Sequence, residues 1–148
     1  MACGRPGDGS WCALVARRFA LRHGLSKAGA GQVALAVAEL VSNVARHGGG
    51  RGRLVLRTLE PPLRGVEVVV CDNGPGIANP ELALQDGWSR GGPRTPDSPR
   101  DGLGTGLGAV RRAMDEFRID PRFEGGTRIT ARKFVDRNAS LRRHSDCG

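Results

Sequence analysis

Glu39 and Asn43 are the residues in this chain whose types and spacing most suggest chemistry. They stand four apart within Gln32–Arg46, a stretch rich in Ala, Val and Leu at helical spacing and free of proline. A helix there places both side chains on one face, within reach of the same small object. A carboxylate can accept a proton, and a carboxamide oxygen can ligate a hard cation such as Mg2+ without adding charge. His47 continues the stripe one turn later. Taken alone, the pair is better described as the solvent-facing stripe of an ordinary helix; the segments downstream change that balance.

Two glycine clusters follow. Cys71-Asp72-Asn73-Gly74-Pro75-Gly76-Ile77 comes directly after Val66–Cys71, a β-branched run suited to a buried strand. An Asp at a strand end can accept a hydrogen bond from an exocyclic amine, and Gly74 and Gly76 would let a flat ring approach the backbone. In isolation the same letters are a plain Asp-Asn-Gly turn. Gly102-Leu103-Gly104-Thr105-Gly106-Leu107-Gly108 opens a helix, where free backbone N–H groups attract phosphate. Gly104–Ala109 satisfies G-x-G-x-x-A by letter, but a Pro-rich loop precedes it where a Rossmann fingerprint needs a strand. No Walker Lys-Ser/Thr is present. A flexible linker is the other reading, weakened by the helix start directly behind.

The elements that must position these groups follow from periodicity and breakers. Trp11–His23 reads as a first helix stopped by Gly24. Ser26 caps a second helix over Lys27–His47, ending at Gly48-Gly49-Gly50. Arg53–Leu59 and Val66–Cys71 read as antiparallel strands turned at Pro61-Pro62 and Gly65. Pro80–Gln85 is a short helix, Gly91–Asp101 a polar loop, Thr105–Phe117 a helix, and strands follow near Arg118–Phe123 and Thr127–Phe134. Residues 1–10 are expected to be flexible, 11–136 to form the domain, and the basic tail Arg137–Gly148 to stay disordered. The order predicts an α/β two-layer sandwich, with helices on one face of a mixed, largely antiparallel sheet.

Composition narrows the classes. At 148 residues the chain is most simply one domain, with 39% apolar and 26% charged residues. The net charge of +8 raises nucleic acid as a ligand. However, Lys27 and Lys133 are the only lysines, the arginines are scattered, and Tyr is absent. That pattern fits a GC-rich coding preference better than a single-strand binder, so nucleic acid is not an expected partner. Cys3, Cys12, Cys71 and Cys147 form no C-x-x-C pair and read as free thiols. No run approaches the ~20 apolar residues of a membrane span, and Met1–Ser10 lacks an apolar signal core, so a cytoplasmic location is expected.

Together, E-x-x-x-N on a helix, a strand ending in D-x-G-x-G, a G-x-G-x-G run before a helix and G-T at a final strand resemble the GHKL (Bergerat-fold, histidine-kinase-like) ATPase superfamily. The chain supplies Glu39/Asn43, Asp72/Gly74/Gly76, Gly102/Gly104/Gly106/Gly108 and Gly126/Thr127 in that order, across roughly Trp11 to Val135. Within it the likeness is to the small anti-sigma-factor kinases of bacteria. The nearest branch is the stressosome-type serine/threonine switch kinase that phosphorylates STAS-domain antagonist proteins. Asp86-Gly87-Trp88-Ser89 and Met114-Asp115-Glu116-Phe117 look like segments of that branch.

The resemblance implies Mg2+ and ATP as cofactors. Asn43 would ligate the Mg2+, Asp72 would take the adenine amine, and Thr127 would support water beside the ring. Gly74 and Gly76 would flank the base, and Gly102, Gly104, Gly106 and Gly108 would wrap the phosphates. Glu39 would orient or deprotonate the attacking hydroxyl, the catalytic role. The implied partners are a STAS-domain antagonist as substrate and a sigma factor or phosphatase activator. Rival readings are an anti-sigma factor that sequesters its sigma factor with ATP bound, and a non-catalytic adaptor. Arg46 and His47 read as a surface helix end, and Arg90, Arg94 and Arg100 as solvated loop charges. Two features depart from the family. Met1–Ser10 does not read as its opening strand, and Pro93–Asp101 lengthens the lid loop.

Overall fold

The computed structural model describes residues 1–84, 88–89, 92–93 and 106–136. Gly102, Gly104, the lid residues 94–101, Asp86-Gly87 and the 137–148 tail lie outside the described residues.

Helix formation follows local signals most closely in α2 (Lys27–His47), which matches its expected bounds. The Ser26 side chain accepts a hydrogen bond from the Gly29 N–H at 3.0 Å, satisfying one of the orphan donors of the first turn. Val33, Ala36, Val37, Leu40, Val41 and Val44 are all buried along it, so this helix forms the centre of the core. By length and composition α2 could cross a membrane, but half of that apolar stretch is packed inside the fold, as in the core helix of a sandwich.

α1 (Asp8–Arg22) begins earlier than Trp11. Asp8 supplies the missing start signal: its carboxylate accepts hydrogen bonds from Gly4 N at 3.1 Å and Arg5 N at 2.9 Å. Its buried residues Cys12, Ala16 and Ala20 are small and four apart, which lets α1 lie close against α2.

The sheet contains β1 (Ala2–Cys3), β2 (Gly52–Leu59), β3 (Gly65–Asp72), β6 (Glu116–Pro121) and β7 (Thr127–Phe134) in the order β1-β2-β3-β7-β6. Between β3 and β6 in sequence lie α3 (Pro80–Ala83), the two-residue pair β4 (Trp88–Ser89) and β5 (Gly92–Pro93), and α4 (Leu107–Ala113). Among the described residues every pairing is antiparallel, in keeping with the largely antiparallel sheet expected.

The reading that Met1–Ser10 holds no opening strand is corrected. Ala2 pairs with Arg53 and Cys3 with Gly52, and Cys3 is buried in the core. A two-residue strand with one inward side chain leaves no alternation to read in a Gly/Pro/Asp-rich segment.

Val66, Val68 and Val70 of β3 and Ile129 and Ala131 of β7 turn towards the helices. The opposite face carries a row of alternating charge across four strands, Arg57–Glu67–Arg132–Glu116. Arg132 Nε donates to Glu67 at 2.8 Å and Arg132 Nη1 to Glu116 at 3.1 Å, while Arg57 lies 3.7 Å from Glu67. The hydrogen bonds to Glu67 and then Glu116 push the Arg132 guanidinium further above its ordinary value.

The helix expected over Thr105–Phe117 is shorter than the pattern suggests. α4 stops at Ala113, and Glu116-Phe117 already belong to β6. Asp115 is the cause. Its N–H donates to Arg132 O at 2.9 Å, and its carboxylate accepts from Phe134 N at 2.8 Å and Lys133 Nζ at 3.3 Å. Lys133 Nζ also donates to Ala113 O at 3.0 Å, closing the helix end.

Candidate nucleotide site

A cleft of about 420 Å³ opens between the C-terminal half of α2, the ends of β3 and β7, the loop from Asp72 to Asn79, and α3. Its walls are largely apolar, with Leu40, Val44, Val70, Ile77 and Ile129 among them, and Asn43, Asp72 and Thr127 bring polar groups to it. Cα spacing explains the convergence. Leu40, Asn43, Val44 and His47 share one side of α2, and Asp72 continues the helix-facing set Val66, Val68, Val70 to the strand end. Thr127 is buried at the start of β7.

The Asp72 loop is shaped from three sides. Within the loop, Asp72 Oδ1 accepts from Gly74 N at 2.9 Å, the side-chain-to-backbone bond that folds an Asp-Asn-Gly turn. Behind it, the loop presses on the end of α2: a Cβ on Gly74 would stand 2.6 Å from His47 O, and one on Gly48 would stand 2.8 Å from Asp72 Cβ. Gly74 is therefore required for contact with the helix end. Gly76, at φ +83, is required for its backbone conformation and lines the cleft. On the third side lies the β6–β7 hairpin. A Cβ on Gly126 would overlap the Asp72 carbonyl oxygen and stand 2.9 Å from Asn73 Cα. Arg122 Nη1 donates from the same hairpin to Asp72 O at 2.7 Å and to Asn73 Oδ1.

Of the residues singled out from sequence, Asn43, Asp72, Gly76, Gly106 and Thr127 line the cleft. Gly74 lies behind it and Gly108 is buried in the first turn of α4. Glu39 does not belong to the described cleft wall. It is only 2% exposed, and its Oε1 has no hydrogen-bond partner among the described residues. Such an orphan acceptor costs about 1–3 kcal/mol, so its presence calls for a functional account.

Arg46 and His47, read as a surface helix end, are exposed and also border the cleft. Sequence reasoning missed Ile77, Gly48 and Arg122. Only Asn79-Pro80 carried a local sign of the further wall, since Asn79 Oδ1 caps α3 through Leu82 N at 3.2 Å.

No group of three or more His, Cys, Asp or Glu side chains able to hold a metal occurs among the described residues. One carboxamide oxygen from Asn43 still suits Mg2+, which keeps several waters and takes few protein ligands beside phosphate oxygens. The cleft volume falls within the ~300–1,000 Å³ range of small-molecule sites, and its mixture of apolar walls and a few polar groups suits a purine nucleotide.

Residues 10–133 match the model of the histidine kinase-like ATPase domain. The chain belongs to that family. The family is GHKL-type, in agreement with the motif order. A curated relative, the serine/threonine-protein kinase RsbT of Bacillus subtilis (strain 168), is 29% identical over 122 residues, covering 82% of this chain and 84% of RsbT. Among solved structures, the mycobacterial sensor histidine kinase MprB superposes with a TM-score of 0.51 at 22% identity, covering 86% of this chain and 93% of that one. The histidine kinase domain from the Erythrobacter litoralis EL346 blue-light activated histidine kinase gives 0.50 at 20% identity, covering 90% of this chain and 63% of that one. These two likenesses establish the fold.

Proposed function

We propose that this chain is a Mg-ATP-dependent serine/threonine protein kinase whose substrate is a STAS-domain antagonist in bacterial sigma-factor control. The observation that carries the reading is the convergence of Asp72, Thr127 and Asn43 on one apolar-walled cleft, with the orphan carboxylate of Glu39 one helical turn from Asn43. Family membership and the similarity to RsbT support it.

In this reading the apolar walls hold the adenine ring while the Asp72 carboxylate accepts from its amine and Thr127 supports water beside it. Asn43 would offer its side-chain oxygen to Mg2+, and the glycines of the Gly102–Gly108 run would offer backbone N–H groups to the phosphates. Bound Mg-ATP supplies the phosphoryl group and neutralises charge on it. Glu39 Oε1 would take the proton of the serine or threonine hydroxyl as its oxygen bonds to the γ-phosphorus and ADP leaves, a role its unpartnered state suits. The position of Glu39 outside the described wall favours one other reading. A protein that uses ATP as a structural ligand while sequestering a sigma factor needs the cleft but not the base.

Calorimetry and transfer assays test both. Wild-type protein is expected to bind Mg-ATP and move the γ-phosphate to a STAS-domain protein. Asp72→Asn should weaken binding with or without Mg2+, because an amide can present a donor where the amine needs an acceptor. Asn43→Ala should lose only the Mg2+-dependent part. Mg-ATP binding as in wild type by both variants would overturn the cleft assignment. Normal binding without transfer to any STAS protein would favour sequestration.

A further inference from the structure

The geometry points to Arg122 as the positioning residue for base recognition, an inference that rests on the nucleotide reading of the cleft. Arg122 is half-buried as a residue, and its Nη1 donates to two acceptors in consecutive residues, the Asp72 carbonyl oxygen at 2.7 Å and Asn73 Oδ1. Both acceptors belong to the loop whose carboxylate faces the cleft. The base of Arg122 is itself fixed. Arg122 N donates to Gly126 O at 3.2 Å and Gly125 N to Arg122 O at 3.1 Å, which close the tight hairpin leading into Thr127. Arg122 therefore ties the element carrying Asp72 to the element carrying Thr127.

That tie matters because the Asp72 carboxylate has only partial local restraint. Oδ1 is held by Gly74 N, and Gly74 belongs to the same loop, so this bond fixes the shape of the turn but not its place relative to β7. Contact with Gly126 stops the loop from moving towards the hairpin, and Arg122 stops it from moving away. A charge-assisted bond to a backbone carbonyl is among the stronger single restraints available.

Discrimination depends on the same restraint. A fixed carboxylate accepts from the 6-amine of adenine and repels the 6-oxygen of guanine; a carboxylate free to swing loses part of both effects. Arg122 touches no reacting atom in this account and acts through Asp72.

The test is the ratio of ATP to GTP affinity, read by calorimetry on the full chain. Arg122→Ala is expected to lower ATP affinity ~10-fold while changing GTP affinity little, narrowing the ratio, and to lower Tm by only a few degrees. Arg122→Lys, which keeps a cationic donor, should restore most of the ratio. In an Asp72→Asn background Arg122→Ala should produce little further loss, because two residues acting through one contact are not additive. An equal fall in ATP and GTP affinity would mark a merely structural role and overturn the inference. An unchanged ratio in a folded Arg122→Ala protein would do the same. Failure of the wild type to bind ATP would overturn the nucleotide reading as well. Wild-type binding with an unresponsive Arg122 would overturn this inference alone.

Discussion

Replacing Gly126 by alanine, with Gly125→Ala as its control, isolates the contact on which the Asp72 loop depends. The two glycines are adjacent and have nearly the same φ, +89 at Gly125 and +87 at Gly126. A Cβ at Gly125 meets nothing within 4 Å, whereas one at Gly126 overlaps Asp72 O and stands 2.8 Å from Asp72 C. Both alanines therefore carry the same left-handed backbone cost, about 1–2 kcal/mol. Only Gly126→Ala adds overlap with backbone, which cannot rotate aside, and forced overpacking costs a further ~1–3 kcal/mol. At about 2–4 °C per kcal/mol for a domain of this size, Gly126→Ala should melt roughly 2–12 °C below Gly125→Ala. Its ATP affinity should also fall ~10-fold or more, because relief of the overlap moves Asp72 itself, while Gly125→Ala stays within about 2-fold of wild type. Thermal unfolding and calorimetry on the same preparations read both effects. Equal Tm and equal ATP affinity in the two variants would show that the hairpin does not set the position of the loop.

Two further outcomes follow from buried groups. Glu39→Gln should keep ATP affinity within a few-fold and leave the fold at least as stable, since Oε1 has no partner to lose, yet slow phosphoryl transfer ~100-fold or more; normal transfer in a steady-state phosphorylation assay would remove Glu39 from the mechanism. Burial first, then the proximity of Cys12 and Asp8, pushes the Cys3 thiol up from 9.0 to about 11, and burial raises Cys12 as well. The fold holds the Cys3 thiol neutral, so its stabilising contribution is complete below about pH 9 and is lost as pH rises towards about 11. Accordingly, iodoacetamide at pH 8 should label half-exposed Cys71 well before buried Cys3 and Cys12 by mass spectrometry; equal rates would contradict the burial.

What could be read from the sequence was local. The α2 boundaries were legible because Ser26 and Gly48 are punctuation within one turn of the helix, and β3 because six consecutive residues, Val66–Cys71, carry β-branched or apolar side chains apart from Glu67. The α4 end was not. Val110, Met114 and Phe117 continue a helical spacing, and only the capture of Asp115 by β7 redirects the chain. Spacing placed Glu39 and Asn43 on one face, but not at one depth: Asn43 reaches the cleft and Glu39 is buried. Gly74 was legible as a needed glycine for a different reason, since its neighbour is the end of α2. Arg122 carried no signal at all, because its acceptors lie in a loop remote in sequence.

The charged row on the open face of the sheet has a consequence for how the strands find one another. β2 and β3 are aligned by a short turn, and β6 and β7 by the Arg122–Gly126 hairpin, so each pair inherits its register locally. The central β3–β7 pair has no such guide, since the chain runs from Asp72 to Thr127 before the two meet. A slip of one residue would set Ala131 or Lys133 against Glu67 and turn Arg132 towards the helices. A slip of two would oppose Glu67 with Thr130 or Phe134, taking the 2.8 Å Arg132 contact from a buried carboxylate and leaving it only the more distant Arg57. Arg57–Glu67–Arg132–Glu116 thus acts as a proofreading mark, rejecting misaligned assembly at the seam that joins the two hairpins of the sheet.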